Sequence, residues 1–117
     1  MSICFLNDKY LDLQEAKISP LDRGFLFGDA IYEVIIAVNK KPFELGAHLT
    51  RLKKNISSLK YSLSDQFDLE ETILEVISRN KFLNQVIYVQ ISRGTDIVRN
   101  HIPSNDLSPT IFVSSHE

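Results

Sequence analysis

The chain predicts an α+β fold, a two-layer sandwich in which a mostly antiparallel sheet carries two helices on one face. Three observations lead there. Short apolar, β-branched runs lie at both ends of the 117 residues, a nine-residue run rich in Ile and Val lies between them, and two stretches of helical periodicity fall in the middle. Strands, then helices, then strands, with no regular βα alternation, is the pattern of an α+β domain rather than a parallel α/β sheet.

Taken in order, 3–6 and 10–13 are apolar runs flanking Asn7-Asp8-Lys9 and read as a hairpin. Residues 19–29 carry Pro20, Gly24 and Gly28, too much punctuation for a regular element, and read as a structured loop. Residues 30–38 are a central strand. Asn39-Lys40-Lys41-Pro42 turns it back into a short strand over 43–45. Leu45, Leu49, Leu52, Ile56 and Leu59 recur at intervals of four and three, which predicts an amphipathic helix over 46–60. A second helix starts at Asp68, with Glu71 placed for a capping box, buries Leu69, Ile73, Val76 and Ile77, and ends near Asn80. Strands follow at 86–92 and 110–114. Between them, 96–109 is a long polar loop with two prolines, of a length usually kept for function or left disordered.

Composition narrows the function. The length fits a single domain over 1–117, and 44% apolar residues suffice for one packed core. A net charge of −2 with interspersed signs gives no basic stripe for nucleic acid. The apolar runs are far shorter than a membrane span, and no signal peptide opens the chain. Cys4 is the only cysteine, so no intrachain disulfide forms; with apolar neighbours it reads as buried packing, in a cytoplasmic protein. The three histidines have no metal-ligand spacing, and no metal site is expected.

Several polar residues stand out against this background. On the 30–38 strand, alternation puts Tyr32 on one face and Glu33 on the other, so each needs solvent or a hydrogen-bond partner. Spacing alone allows a sheet-edge tyrosine with Glu33 on the solvent face. Arg51 falls beside the apolar seam of its helix, with His48 and Asn55 as neighbours. It reads as a solvated boundary arginine or as a fork for phosphate oxygens. Arg99 and His101 are two apart; extended, they point the same way and suit a carboxylate, and otherwise they are two exposed loop residues.

The order of Asp22-Arg23-Gly24-Phe25-Leu26-Phe27-Gly28-Asp29-Ala30-Ile31-Tyr32-Glu33-Val34, His48-Leu49-Thr50-Arg51-Leu52 and Arg93-Gly94-Thr95 followed by Arg99-Asn100-His101 resembles the N-terminal domain of the fold-type IV (class IV) aminotransferases. Within that family the likeness is to the enzymes of D-amino acids, and it covers essentially the whole chain. It implies pyridoxal 5'-phosphate as cofactor, with amino acid and 2-oxo acid substrates. It assigns the substrate carboxylate to Tyr32, Arg99 and His101, the last two reaching across a homodimer, and the cofactor phosphate to Arg51. The family's Schiff-base lysine belongs to a C-terminal domain, and none of Lys9, Lys17, Lys40, Lys41, Lys53, Lys54, Lys60 or Lys81 matches it. The resemblance therefore implies the N-terminal domain of a longer two-domain enzyme, inactive alone, with an apolar surface bared where the other domain would pack. A branched-chain aminotransferase, an aminodeoxychorismate-lyase-like enzyme and a non-catalytic dimerising module are the alternatives.

Overall fold

A computed structural model describes residues 2–117. One six-stranded antiparallel sheet runs in the order β2-β1-β6-β5-β3-β4, formed by β1 (Ile3–Leu6), β2 (Lys9–Asp12), β3 (Ala30–Val38), β4 (Lys41–Pro42), β5 (Gln85–Ser92) and β6 (Thr110–His116). Among the described residues three α-helices accompany it, α1 (Arg23–Phe27), α2 (Leu45–Ser58) and α3 (Leu69–Arg79), with one 3-10 turn at Leu13–Glu15. The α+β sandwich is therefore as expected, with α2 and α3 on one face of the sheet.

The core forms between that face and the two long helices. Leu49, Leu52 and Ile56 of α2 and Leu69, Ile73, Val76 and Ile77 of α3 meet Ile35, Ile87, Val89, Ile91, Ile111 and Val113 from the sheet. Period-two alternation explains which strand residues enter. Register aligns Ile91 with both Ile31 and Ile111, so one apolar row crosses β3, β5 and β6, and Ile35 opposite Ile87 and Val89 opposite Val113 extend it. Cys4 is fully buried, and burial raises its thiol pKa, in keeping with packing rather than reactivity.

The opposite face is open. Val34, Ile36 and Val38 on β3 and Val86 on β5 are exposed there beside Tyr32 as an apolar patch. Among the described residues no helix is long and apolar enough to cross a membrane.

Three details differ from the sequence reading. Residues 19–29 are not all loop: Asp22 accepts from the Gly24 amide at 2.8 Å and starts α1, and Gly28, left-handed at φ 65°, ends it. The strand expected over 43–45 is displaced. Asn39 and Lys40 both have positive φ (50° and 61°), so they make a two-residue reverse turn and pairing resumes at once, Val38 opposite Lys41. Glu44, left-handed at φ 56°, then breaks the strand, and Leu45 already belongs to α2. The capping box at α3 is half present: Asp68 Oδ1 accepts from the Glu71 amide at 3.0 Å.

Gly94 closes the sheet end under the long loop. At φ 118° it holds a conformation that other residues avoid, and a Cβ there would lie 2.1 Å from the Ser108 carbonyl oxygen. Gly94→Ala should destabilise the chain by roughly 2–4 kcal/mol. Gly46→Ala, in α2 with nothing near its Cβ, should stabilise it by about 0.5–1 kcal/mol. Urea midpoints of the two variants check both signs.

Candidate active site

Two carboxylates, one buried and one half-buried, organise the polar residues. The first is Glu33, 5% exposed, which alternation turns toward the helices. Its carboxylate accepts from Arg51 Nε at 2.7 Å on Oε2 and from Arg51 Nη2 at 2.7 Å on Oε1. His48 Nδ1 lies 2.6 Å from Oε1. One turn of α2 supplies both partners, because residues three apart share a helix face. The Arg51 hydrogen bonds lower the Glu33 pKa against the opposing effect of burial, with His48 adding to them, and Arg51 is raised in turn. This corrects the expectation that Glu33 is on the solvent face: it is the buried anchor of a semi-exposed pair. Arg51 itself is 63% exposed at its side chain, and its Nη1 has no partner among the described residues. A guanidinium fixed along one edge and free along the other is suited to an incoming anion.

The second is Asp29, at the junction of α1 and β3. Its Oδ2 accepts from Arg93 Nε at 2.6 Å and from Arg23 Nε at 3.3 Å, and its Oδ1 from the Tyr61 hydroxyl at 2.9 Å. Burial pushes the carboxyl pKa up, but the three donors together outweigh it and hold the group below its ordinary value. Burial and the Asp29 hydrogen bond raise the Tyr61 hydroxyl, which stays a donor. Asp22 secures the same corner, taking a 2.5 Å hydrogen bond from Thr110 of β6.

Tyr32 projects from the open face, 63% exposed, and stacks on Tyr88 at 5.8 Å between ring centroids. Tyr88 in turn donates to Gln90. Together with Leu6, Ile18, Phe25 and Phe112, Tyr88 and Gln90 line a pocket of about 510 Å³. None of the four site residues expected from sequence lines that pocket. Tyr32 and Arg51 lie on opposite sides of the sheet, one on the open face and the other over Glu33.

Arg99 and His101 are brought together. Both pack on the Phe27 ring, Arg99 with its guanidinium carbon 4.8 Å from the centroid and His101 with ring centroids 5.3 Å apart. Arg99 has no carboxylate partner among the described residues, so its donors face solvent unspent. The loop turns back at Asp96, which accepts from the amides of Ile97 (2.7 Å) and Ser104 (2.9 Å) and from the Ser104 hydroxyl (2.7 Å).

Sequence reading missed Asp29, Glu33, Arg23 and Tyr61 as parts of this arrangement. The one available signal was Glu33 in an apolar strand; the partners of Asp29 lie too far along the chain to be paired by spacing.

A family model of the class IV amino-transferases matches residues 30–117. The chain belongs to this family. It is 35% identical over 121 residues to D-alanine aminotransferase of Staphylococcus haemolyticus, a match covering 100% of this chain and 43% of that protein. The chain thus spans under half the length of the curated relatives it matches. Among solved structures it is similar to the branched-chain amino acid aminotransferase from Escherichia coli, with TM-score 0.87, 17% identity and coverage of 98% of this chain and 40% of that one. It also resembles 4-amino-4-deoxychorismate lyase from Pseudomonas aeruginosa, with TM-score 0.79, 23% identity and coverage of 97% and 39%. At these identities the likeness to solved structures is one of fold, and it places the chain in the class IV architecture.

The Asp29 cluster gives a pH signature. A carboxylate with a folded pKa below its unfolded one stabilises fully above the unfolded value, about 4, and loses that contribution as pH falls through the folded value. Asp29→Asn should cost roughly 2–4 kcal/mol at pH 7, since three donors lose a charged acceptor. The gap to the unmutated chain should narrow at pH 3, as read from urea midpoints at both pH values.

Proposed function

We propose that this chain is the N-terminal, substrate- and phosphate-contacting part of a pyridoxal-phosphate-dependent transaminase. The enzyme would move an amino group between a D-amino acid and a 2-oxo acid. The observation that carries the reading is the convergence of Arg99 and His101 on one aromatic ring, a fork of donors and an imidazole presented together on an exposed loop. The identity to D-alanine aminotransferase, which runs through that loop, supports the choice of D-amino acids.

In this reading Arg99 forks onto the α-carboxylate and His101 donates a second hydrogen bond. Tyr32 presents its hydroxyl from the open face of the sheet. The Arg99–His101 loop serves the site of a neighbouring subunit in a cytoplasmic homodimer.

Arg51 fits the phosphate of the cofactor, because Glu33 holds its inner edge and leaves Nη1 at the surface. Pyridoxal phosphate, when bound, supplies an electron sink for cleavage at the α-carbon of the amino acid. The lysines of this chain are exposed, Lys40 half-buried, and none stands beside Arg51 as a hydrogen-bonding neighbour. The lysine that carries the cofactor and moves the α-proton is therefore assigned to a second domain, and residues 1–117 alone should not turn over D-alanine. A pyridoxal absorbance band that borohydride removes, together with D-alanine turnover by the 117-residue chain, would overturn this assignment.

The full-length gene product tests the rest. It should transaminate D-alanine with 2-oxoglutarate faster than L-leucine; preference for L-leucine would make it a branched-chain enzyme, and no turnover of either, with no cofactor bound, a non-catalytic module. Arg51→Lys keeps a charge on Glu33 but cannot fork onto carboxylate and phosphate together. It should raise the cofactor Kd by roughly 10-fold or more in an absorbance titration, with the thermal midpoint little changed. An unchanged Kd would remove Arg51 from the phosphate site.

A further inference from the structure

Arg23 has no part in the reading above, yet its side chain is almost wholly buried, 3% exposed as a residue, and arginines are rarely so unless paired. Its pairing spans two parts of the chain. Nε donates to Asp29 at 3.3 Å, whereas Nη1 donates to the Asn100 carbonyl at 2.6 Å and Nη2 to the His101 carbonyl at 3.0 Å. Only a planar fork can meet a carboxylate on one edge and two consecutive peptide oxygens on the other.

The segment it grips has little else to hold it. Asp96 pins Ile97 and Ser104, and Asn100 caps its own turn by accepting from the Ile102 amide at 3.1 Å. No backbone–backbone hydrogen bond reaches 98–103 among the described residues. The Arg23 guanidinium also lies 4.5 Å from the centroid of the Phe27 ring, on which Arg99 and His101 rest. Arg23 and Phe27 are four apart on α1, so one turn of helix supplies both the grip on the loop backbone and the surface beneath its side chains. Asp29, shared with Arg93, is the carboxylate paired with the Arg23 guanidinium, whereas Arg99 has no carboxylate partner among the described residues.

We propose that Arg23 is the positioning residue for the Arg99–His101 pair, locking the two carbonyls after Arg99 so that both side chains stand in fixed register on Phe27. This rests on the assignment of Arg99 and His101 to the substrate carboxylate. In the absence of Arg23 the pair would still be present, but the loop would sample other orientations, and carboxylate recognition would weaken before any later step.

The test is Arg23→Lys in the full-length holoenzyme, a change that keeps the charge beside Asp29 and removes the fork. The KM for D-alanine should rise about 10-fold, while kcat changes less than about threefold and the cofactor absorbance band is retained. In the Arg99→Ala background the same change should add less than about twofold, because its effect runs through Arg99. Trypsin should cut the Arg99–Asn100 bond several-fold faster in Arg23→Lys than in the unmutated protein, relative to cleavage after Lys60. Unchanged KM and unchanged cleavage, or KM effects of Arg23→Lys and Arg99→Ala that multiply in full, would overturn the inference. If Arg99→Ala alone leaves the D-alanine KM untouched, it is the assignment of the pair that fails, and the cleavage ratio still decides whether Arg23 holds the loop. Should Arg23→Lys not fold, Phe27→Leu removes the shared ring and should raise KM about threefold; no rise would count against the platform.

Discussion

The arrangement of this domain depends on the ionised carboxylate of Asp29. It is where α1 ends, where β3 begins and where the last arginine of the β5 end arrives, and the backbone repeats the junction: the Arg93 amide donates to the Asp29 carbonyl at 3.1 Å and the Arg23 amide to the Gly94 carbonyl at 2.8 Å. A carboxylate with three donors holds several elements in one geometry, provided every partner stays in place, because any donor left over would be a buried group without a partner. Among the described residues no buried side-chain nitrogen or oxygen is left so.

From that junction the sheet sorts chemistry by face. The side toward α2 and α3 is the packed core and admits one acid, Glu33, because a single helix turn brings Arg51 and His48 to it. The other side is apolar and open, with Tyr32 stacked on Tyr88, which lines the pocket beside Gln90. Class IV amino-transferase membership, the capacity of Arg51 for an anion and the loop pair over Phe27 are the three features on which the proposed function rests.

Much of the fold was legible because strands and long helices announce themselves locally. The Ile and Val run gave β3 its full extent over Ala30–Val38, and the four-and-three spacing of leucines gave α2 its buried seam. The five-residue α1 was missed because it is too short to show a period, although Asp22 and Gly28 are orthodox cap residues in hindsight. The early start of β4 was missed because a lysine in the left-handed region, Lys40, carries no turn signal comparable to glycine. The polar clusters were illegible for another reason. Asp29 and Arg93 are 64 residues apart, and Arg23 and His101 are 78 apart, so only the folded topology brings them into contact. Tyr32, Arg51, Arg99 and His101 came from family resemblance, and spacing alone would have left each as a surface residue.

The neighbourhood of Tyr32 and Glu33 also bears on how such a chain can diverge. Adjacent Cα atoms lie about 3.8 Å apart, yet these two side chains leave the sheet in opposite directions. Gain or loss of one residue ahead of them would swing the acid into the open apolar face, strip Arg51 of its anchor and drive the tyrosine into the core. Drift in length is thus closed to β3 and left to the 96–109 segment, where an inserted residue moves a side chain without inverting a surface. New substrate preferences on this scaffold would be expected to arise in that segment.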